Sequence, residues 1–382
     1  MSKIVILAGD FPPIQGGIST YLHNLASNFS PDDVEVICLP SPGSSDYDRI
    51  QKYGTRRLSI PELWGPDSKQ FKYLSPFYFR EITKISRIDY ILCGQAHHTL
   101  LLPAWLTFKT RGIPYGVIAH GNDVSSLQAG FVRRAVIPLL RSAQAVLANS
   151  QRTSLLVKNL QVDPSRTHVI HPVVDTGMRE GIIPSDSIRN KYSLQGKKCL
   201  LTVSRLVERK GCDTVIKAMP EILSKVPDAH YVIVGAGPYE NELKQLVRSL
   251  EMDSHVTFAG FVEDITPFFD VCDVFVMISR EIPDKSDLEG FGLVFLEANL
   301  FGKPVVAGRS GGVVDAVLDG QTGLLVDPGK PLEVAEAVTR LLLDKSLSKQ
   351  LGDIGRIRVL QQFSGESAIH KLRNIMALKG TL

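Results

Sequence analysis

Short apolar runs alternate with longer amphipathic stretches along all 382 residues. In the first half the apolar runs predict strands at Ile4–Ala8, Val34–Leu39, Tyr90–Cys93, Tyr115–Ala119, Ala145–Ala148 and His168–Ile170. Helical spacing falls between them, at Gly17–Phe29, Thr99–Lys109 and Thr153–Leu160. In the second half the strands are predicted at Lys198–Val203, His230–Val234, Val256–Ala259, Val274–Met277, Pro304–Ala307 and Gly323–Val326. Strands separated by helices read as βαβ units. The simplest α/β architecture is two six-stranded, doubly wound parallel sheets in tandem.

The seam between them is placed near His171-Pro172-Val173-Val174-Asp175, with a polar linker running to about Ser193. This gives domains over 1–172 and 173–364, with a last helix, about 365–382, packing back on the first domain. Residues 40–75, rich in Ser, Pro, Gly and Tyr, form the longest stretch without a clear period.

Composition narrows the class. The chain is 44% apolar and 22% charged, as in globular proteins. No apolar run approaches the roughly 20 residues that cross a bilayer. The apolar core of Met1–Gly9 is too short for a signal peptide and reads as a first strand. Cys38, Cys93, Cys199, Cys212 and Cys272 are odd in number and scattered, which predicts buried free thiols of a reducing cytoplasm rather than a disulfide frame or a zinc site. The net charge of +3 divides unevenly: residues 1–172 carry 18 Lys+Arg against 12 Asp+Glu, and the remainder 25 against 28. A mildly basic first half suits an acidic acceptor or an anionic membrane surface, and equally suits scattered surface charge. No basic tract points to nucleic acid.

The richest chemistry lies in Glu289-Gly-Phe-Gly-Leu-Val-Phe-Leu-Glu297. Gly290 and Gly292 permit a tight turn and close approach to a ligand. Leu293 and Val294 then open a helix whose free N–H groups suit a phosphate. Glu289 before the turn and Glu297 within the helix can each accept bonds from hydroxyls. Hydroxyls, phosphate and hydroxyls again describe a nucleotide sugar. Arg205 and Lys210, in the loop Ser204-Arg-Leu-Val-Glu-Arg-Lys-Gly211 after a strand, suit a pyrophosphate and the charge that builds on a departing diphosphate.

Other motifs carry less. Gly16-Gly17 opens a helix after the first strand, a place for phosphate. Gly235-Ala236-Gly237-Pro238 lacks the third glycine of a dinucleotide fingerprint and reads as a plain βα turn. His120, ending the predicted fourth strand, suits a sugar hydroxyl or a reacting group, although a lone histidine is more often a capping or core residue. His97-His98 has no third ligand at a metal spacing. Asp46-Tyr47-Asp48 looks like a metal-binding triplet but reads as a solvated turn.

Together these segments resemble glycosyltransferase family 4, and the resemblance spans essentially the whole chain. Pro304–Ala307 through Gly311-Gly312, and Gly320 to Val326, complete its pattern. It implies the GT-B fold: two facing Rossmann-like domains with a deep cleft, the first binding acceptor and the second the nucleotide-sugar donor. It implies retention of anomeric configuration, with no metal and no cofactor. Glu289 with Gly290, Phe291 and Gly292 would hold the transferred sugar. Leu293 and Val294, with Arg205 and Lys210, would hold the diphosphate, and Glu297 the ribose. Gly16 and Gly17 would reach the phosphates, and His120 would sit near the sugar. Phe11-Pro12-Pro13 through Ile18, with the Ser204 and Glu289 segments, is similar to bacterial phosphatidylinositol mannosyltransferases. That implies mannose from GDP-mannose, passed to a lipid-linked or glycan hydroxyl with an α-linkage, in the cytoplasm or at the inner membrane face. The loop Gly121–Ser126 departs from that pattern, which leaves the acceptor open. A sugar-nucleotide epimerase of the same fold is the alternative.

Overall fold

Apolar runs rich in β-branched residues form most of the strands among the described residues. The fold, a computed structural model, describes residues 3–61, 69–127, 130–180, 186–282 and 287–376, without the side chains of 130–132. Parts of the irregular stretch at 40–75, the linker to Ser193 and the terminal helix 365–382 therefore lie outside the described residues. The chain divides into two units, Met1–Val173 with Phe363–Leu382, and Val174–Gln362.

The first unit holds strands β1 Ile4–Leu7, β2 Val34–Cys38, β3 Gly54–Arg57, β4 Tyr90–Cys93, β5 Tyr115–Ala119, β6 Ala145–Ala148 and β7 Thr167–Val169. They form one sheet in the order β3-β2-β1-β4-β5-β6-β7, parallel throughout. Alternate residues face opposite layers: Val5, Leu7, Ile37 and Ile91 join one core, Ile4, Ile6, Val36 and Leu92 the other. The helix Gly365–Ile375 adds Ala368, Ile369 and Leu372 to that second core beside Leu22 and Leu25 of Gly17–Ser27. Arg373 also pairs with buried Asp33 at 3.1 Å.

This sheet has seven strands, not the six expected. The extra one, β3, reads Gly-Thr-Arg-Arg and carries no apolar signal. An edge strand has one free side, and its polar side chains find ion-pair partners: Arg56 bonds Glu35, and Arg57 bonds Asp48 at 2.6 Å. The triplet Asp46-Tyr47-Asp48 is likewise not a solvated turn. It lies in the short helix Ser44–Arg49, with the Tyr47 hydroxyl 2.8 Å from His23 Nδ1 and Asp48 clamping Arg57. Only Asp46 of the three stands in solvent, its side chain 83% exposed.

The second unit holds β8 Lys198–Val203, β9 Ala229–Val234, β10 Val256–Gly260, β11 Val274–Met277, β12 Val305–Gly308 and β13 Gly323–Val326. Their order is β10-β9-β8-β11-β12-β13, again all parallel. Winding reverses between β1 and β4 in one sheet and between β8 and β11 in the other. Ligands of open α/β sheets bind beyond the strand ends at such reversals. All five cysteines are buried and free. Among the described residues no helix is long and apolar enough to cross a membrane.

Candidate active site

In the second unit three loops leave the strand ends beside the reversal and converge on one residue, Glu289. The loop after β8 carries Arg205, then a short 3-10 turn, Glu208–Lys210, then the helix Cys212–Lys225. The loop after β11 runs from Ile278 to Gly292, and Ile282 pairs antiparallel with Asp287 within it. The loop after β12 contains Gly311 and Gly312.

Glycine makes the convergence possible. Gly211 has φ +69°, and a Cβ there would overlap the Ile278 carbonyl. Only a residue without a side chain lets the β8 loop rest on the end of β11. Gly311 (φ +54°) lies against the Glu289 carbonyl in the same way, and the Gly312 amide donates to that carbonyl at 2.8 Å. The Gly235-Ala236-Gly237 turn is the βα turn expected, and it also braces the basic loop. A Cβ at Gly235 or Gly237 would overlap the carbonyl of Ser204 or Leu206, and the Leu206 amide donates to Ala236.

Glu289 sits at the centre, 8% exposed. Lys210 Nζ donates to its Oε2 at 2.5 Å and Arg209 Nη1 at 2.7 Å, with Ser279 Oγ at 3.4 Å. Burial alone would raise the Glu289 carboxyl, but Lys210 and Arg209 overcome it and hold the group down at about 2. Burial also draws the Lys210 ammonium below its ordinary range, against the pull of Glu289. Arg209 Nε lies 2.9 Å from Asp287 Oδ1, so this guanidinium ties both acids to the basic loop. Arg209 was not singled out from the sequence. Its neighbours in a run of charge looked the same, and only the fold aims it inward. Arg205 stays exposed, yet its charge is felt by Lys210.

Gly292, at φ +91°, caps the helix Leu293–Leu300. Phe291 is buried beneath the turn, while Leu293 and Val294 are half-buried at the first turn. The first amides of such a helix have no partner within it. Glu297 is 8% exposed, and burial together with nearby Asp175 raises its carboxyl to about 7.

In the first unit, Gly16 and Gly17 are exposed at the start of the eleven-residue helix Gly17–Ser27, with no side-chain cap. Arg57 fixes the preceding segment, donating to Pro12 O at 2.6 Å and to Leu39 O at 2.9 Å. His120 ends β5, 9% exposed. Its Nε2 lies 2.7 Å from the Gly94 carbonyl and donates to it, since a carbonyl oxygen can only accept. Asp123 accepts from the amides of His120 and Ala96, both at 2.9 Å. Across the β1/β4 reversal, Gln95 donates to Asp10 at 2.9 Å. His97 caps the helix His98–Arg111 and is held to about 4 by burial and by His98. No group of three potential metal ligands occurs among the described residues.

Comparison with known proteins gives the family and the fold. Residues 15–177 match the family described as Glycosyltransferase Family 4, and residues 184–358 that described as Glycosyl transferases group 1. The chain is 29% identical over 388 residues to the GDP-mannose-dependent alpha-(1-6)-phosphatidylinositol monomannoside mannosyltransferase of Mycobacterium tuberculosis, covering 98% of each. It is 28% identical over 382 residues to the GDP-mannose-dependent monoacylated alpha-(1-6)-phosphatidylinositol monomannoside mannosyltransferase of Corynebacterium glutamicum, covering 98% of this chain and 97% of the other. Its fold matches Anabaena HepE, solved with UDP and glucose, at a TM-score of 0.82 and 22% identity, covering 99% of this chain and all of that one. Sucrose-phosphate synthase of Thermosynechococcus elongatus matches at 0.79 and 22%, covering 98% of each. These neighbours have the GT-B fold of paired Rossmann-like domains. The chain, a family 4 domain leading into a group 1 domain, belongs to the glycosyltransferases.

Proposed function

We propose that this enzyme is a retaining hexosyltransferase that moves mannose from GDP-mannose to a hydroxyl of a lipid-linked or glycan acceptor. One observation carries the donor half of the reading. At the winding reversal of the second sheet, a buried carboxylate is kept ionised by two cations, beside a glycine-opened helix.

Each group then has a task. Glu289, fully ionised at neutral pH, accepts from the hydroxyls of the sugar. Lys210 and Arg205, with the amides of Leu293 and Val294, receive the diphosphate. As the anomeric C–O bond breaks, negative charge grows on the leaving phosphate, where preorganised cations act most strongly. The acceptor oxygen bonds to the same carbon from the same face, and its proton passes to the departing phosphate. Glu297 takes the ribose diol. In the first unit, His120 presents its remaining ring nitrogen, Nδ1, to a hydroxyl, and the exposed Gly16-Gly17 amides suit phosphate. Arg205, Arg209 and Lys210 supply the positive charge that a metal would otherwise bring, so transfer proceeds in EDTA. The two full-length relatives described above, from Mycobacterium tuberculosis and Corynebacterium glutamicum, are named for GDP-mannose, which favours that donor. Their acceptors are phosphatidylinositol mannosides, and the +6 balance of residues 1–172 suits an anionic membrane surface.

The test is transfer of labelled sugar from a panel of GDP-, UDP- and ADP-sugars to phosphatidylinositol mannosides and glycan acceptors, in EDTA. Acceptor-dependent release of GDP from GDP-mannose, with the α-anomer in the product and no activity in Glu289→Ala, is the expected result. Turnover without acceptor would point to epimerase chemistry. Equal activity of folded Glu289→Ala would remove the reading.

A further inference from the structure

We infer that Asp213 and Arg280 form a positioning clasp, which holds the basic loop after β8 and the Glu289 loop after β11 in register without touching substrate. The inference rests on the donor site proposed above and adds two residues to it.

Arg280 lies two residues beyond Ile278, where the β11 loop begins, and Asp213 is in the first turn of the helix that follows the basic loop. Arg280 Nη1 donates to both Asp213 oxygens, at 2.9 and 3.1 Å, and lies 3.2 Å from Thr214 Oγ1. The Arg280 amide donates to the Arg209 carbonyl at 2.8 Å. One residue therefore grips the basic loop twice, through its backbone at Arg209 and through its side chain just past Gly211. Arg209 and Lys210, between these grips, are the residues that reach Glu289.

Asp213 is 5% exposed and the Arg280 side chain 20%, so the pair is largely shielded from water and salt. Neither is paired with Glu289 or Glu297. The close approach of Gly211 to the Ile278 carbonyl joins the same two loops. The clasp is thus a second, electrostatic fastening of a junction that glycine has already made tight. Without it the basic loop has to be ordered by the incoming diphosphate, and part of the binding free energy goes into that ordering. An effect of this kind weakens substrate and transition state alike, so KM rises while kcat holds.

Two contacts soften the loss of Arg280. Asp213 retains Lys217 at 3.3 Å and the favourable N-terminal end of its helix.

The test is steady-state transfer with GDP-mannose, alongside binding of GDP, UDP and ADP by calorimetry, for wild type, Arg280→Gln, Arg280→Lys, Asp213→Asn and the double variant Asp213→Asn/Arg280→Gln. Arg280→Gln should raise KM and the nucleoside-diphosphate Kd about tenfold, equivalent to about 1.4 kcal/mol. Its kcat should stay within about twofold, and its melting temperature should fall less than that of Lys210→Ala, because Asp213 keeps Lys217. Arg280→Lys should recover part of the loss. The double variant should be no worse than the poorer single variant, because both remove one interaction. Unchanged Kd and KM in Arg280→Gln, or additive losses, would overturn the clasp while leaving the donor site standing. A wild type that binds no nucleoside diphosphate would remove the donor site and the clasp together.

Discussion

Replacing Lys210 by alanine isolates the electrostatics of the site. In the folded protein Glu289 is buried with Lys210 Nζ at 2.5 Å and Arg209 Nη1 at 2.7 Å. A carboxyl held at about 2 rather than 4.5 contributes at most about 3 kcal/mol. The burial that draws Lys210 down subtracts from that figure. The sign follows from the direction. The folded-state value is lowered, so the contribution is complete above pH about 4.5 and is lost as pH falls toward 2. Lys210→Ala deletes one of the two cations and leaves Glu289 in a buried site with Arg209 alone. Breaking a buried pair by removing one partner costs about 3–5 kcal/mol, and the remaining guanidinium places this case at the lower end. For a unit of this size about 3 kcal/mol lowers the melting temperature by roughly 6–12 °C. The assay is calorimetric melting of full-length wild type, Lys210→Ala and Lys210→Ala/Glu289→Gln at pH 7, repeated at pH 4 and pH 3. The single variant should melt lower at pH 7, and the difference should shrink toward pH 3. Glu289→Gln should restore much of the loss by removing the unpaired charge. A Lys210→Ala protein as stable as wild type at pH 7, or one not rescued by Glu289→Gln, would refute the reasoning.

Glu297 behaves in the opposite sense: raised to about 7, it is penalised when ionised, so stability falls as pH rises from about 4.5 through 7. Glu297→Gln should stabilise the protein by up to about 3 kcal/mol at pH 8 and not at pH 4, and it should weaken GDP binding at pH 8; a pH-independent melting difference would count against this. Gly211→Ala places a Cβ on the Ile278 carbonyl at φ +69°, and should cost more than about 1 kcal/mol and abolish transfer; wild-type melting and activity would show that the junction tolerates a side chain. Asp48→Ala removes the carboxylate that orients Arg57 toward the segment before Gly16 and should lower the melting temperature and raise donor KM, whereas Asp46→Ala should change neither. Rescue of Asp48→Ala by Mn²⁺ would instead make the triplet a metal ligand.

The strands were readable because burial on both faces leaves nothing but apolar residues in runs such as Ile4–Leu7 and Val274–Met277. β3 was not readable, because an edge strand of Gly-Thr-Arg-Arg takes its place through ion pairs with residues far along the chain. The same pairs turned Asp48 from an apparent surface residue into a clamp on Arg57. At the site, glutamates flanking two glycines stood out because few structural needs produce that spacing. Arg209 did not, since adjacent arginine and lysine look alike until the backbone turns one inward. The contacts of Gly211 and Gly311 with the Ile278 and Glu289 carbonyls join segments about 70 and 20 residues apart. No local pattern encodes such contacts; a glycine in a loop has many uses.

The most direct measurement is calorimetric titration of GDP, with UDP and ADP as comparisons, into wild type and Lys210→Met at pH 8. The account predicts one nucleoside diphosphate bound per wild-type chain. Lys210→Met should bind it about ten- to a hundredfold more weakly, the loss of one charge-assisted contact to phosphate. Equal affinity of the two proteins, or no binding by wild type, would contradict it.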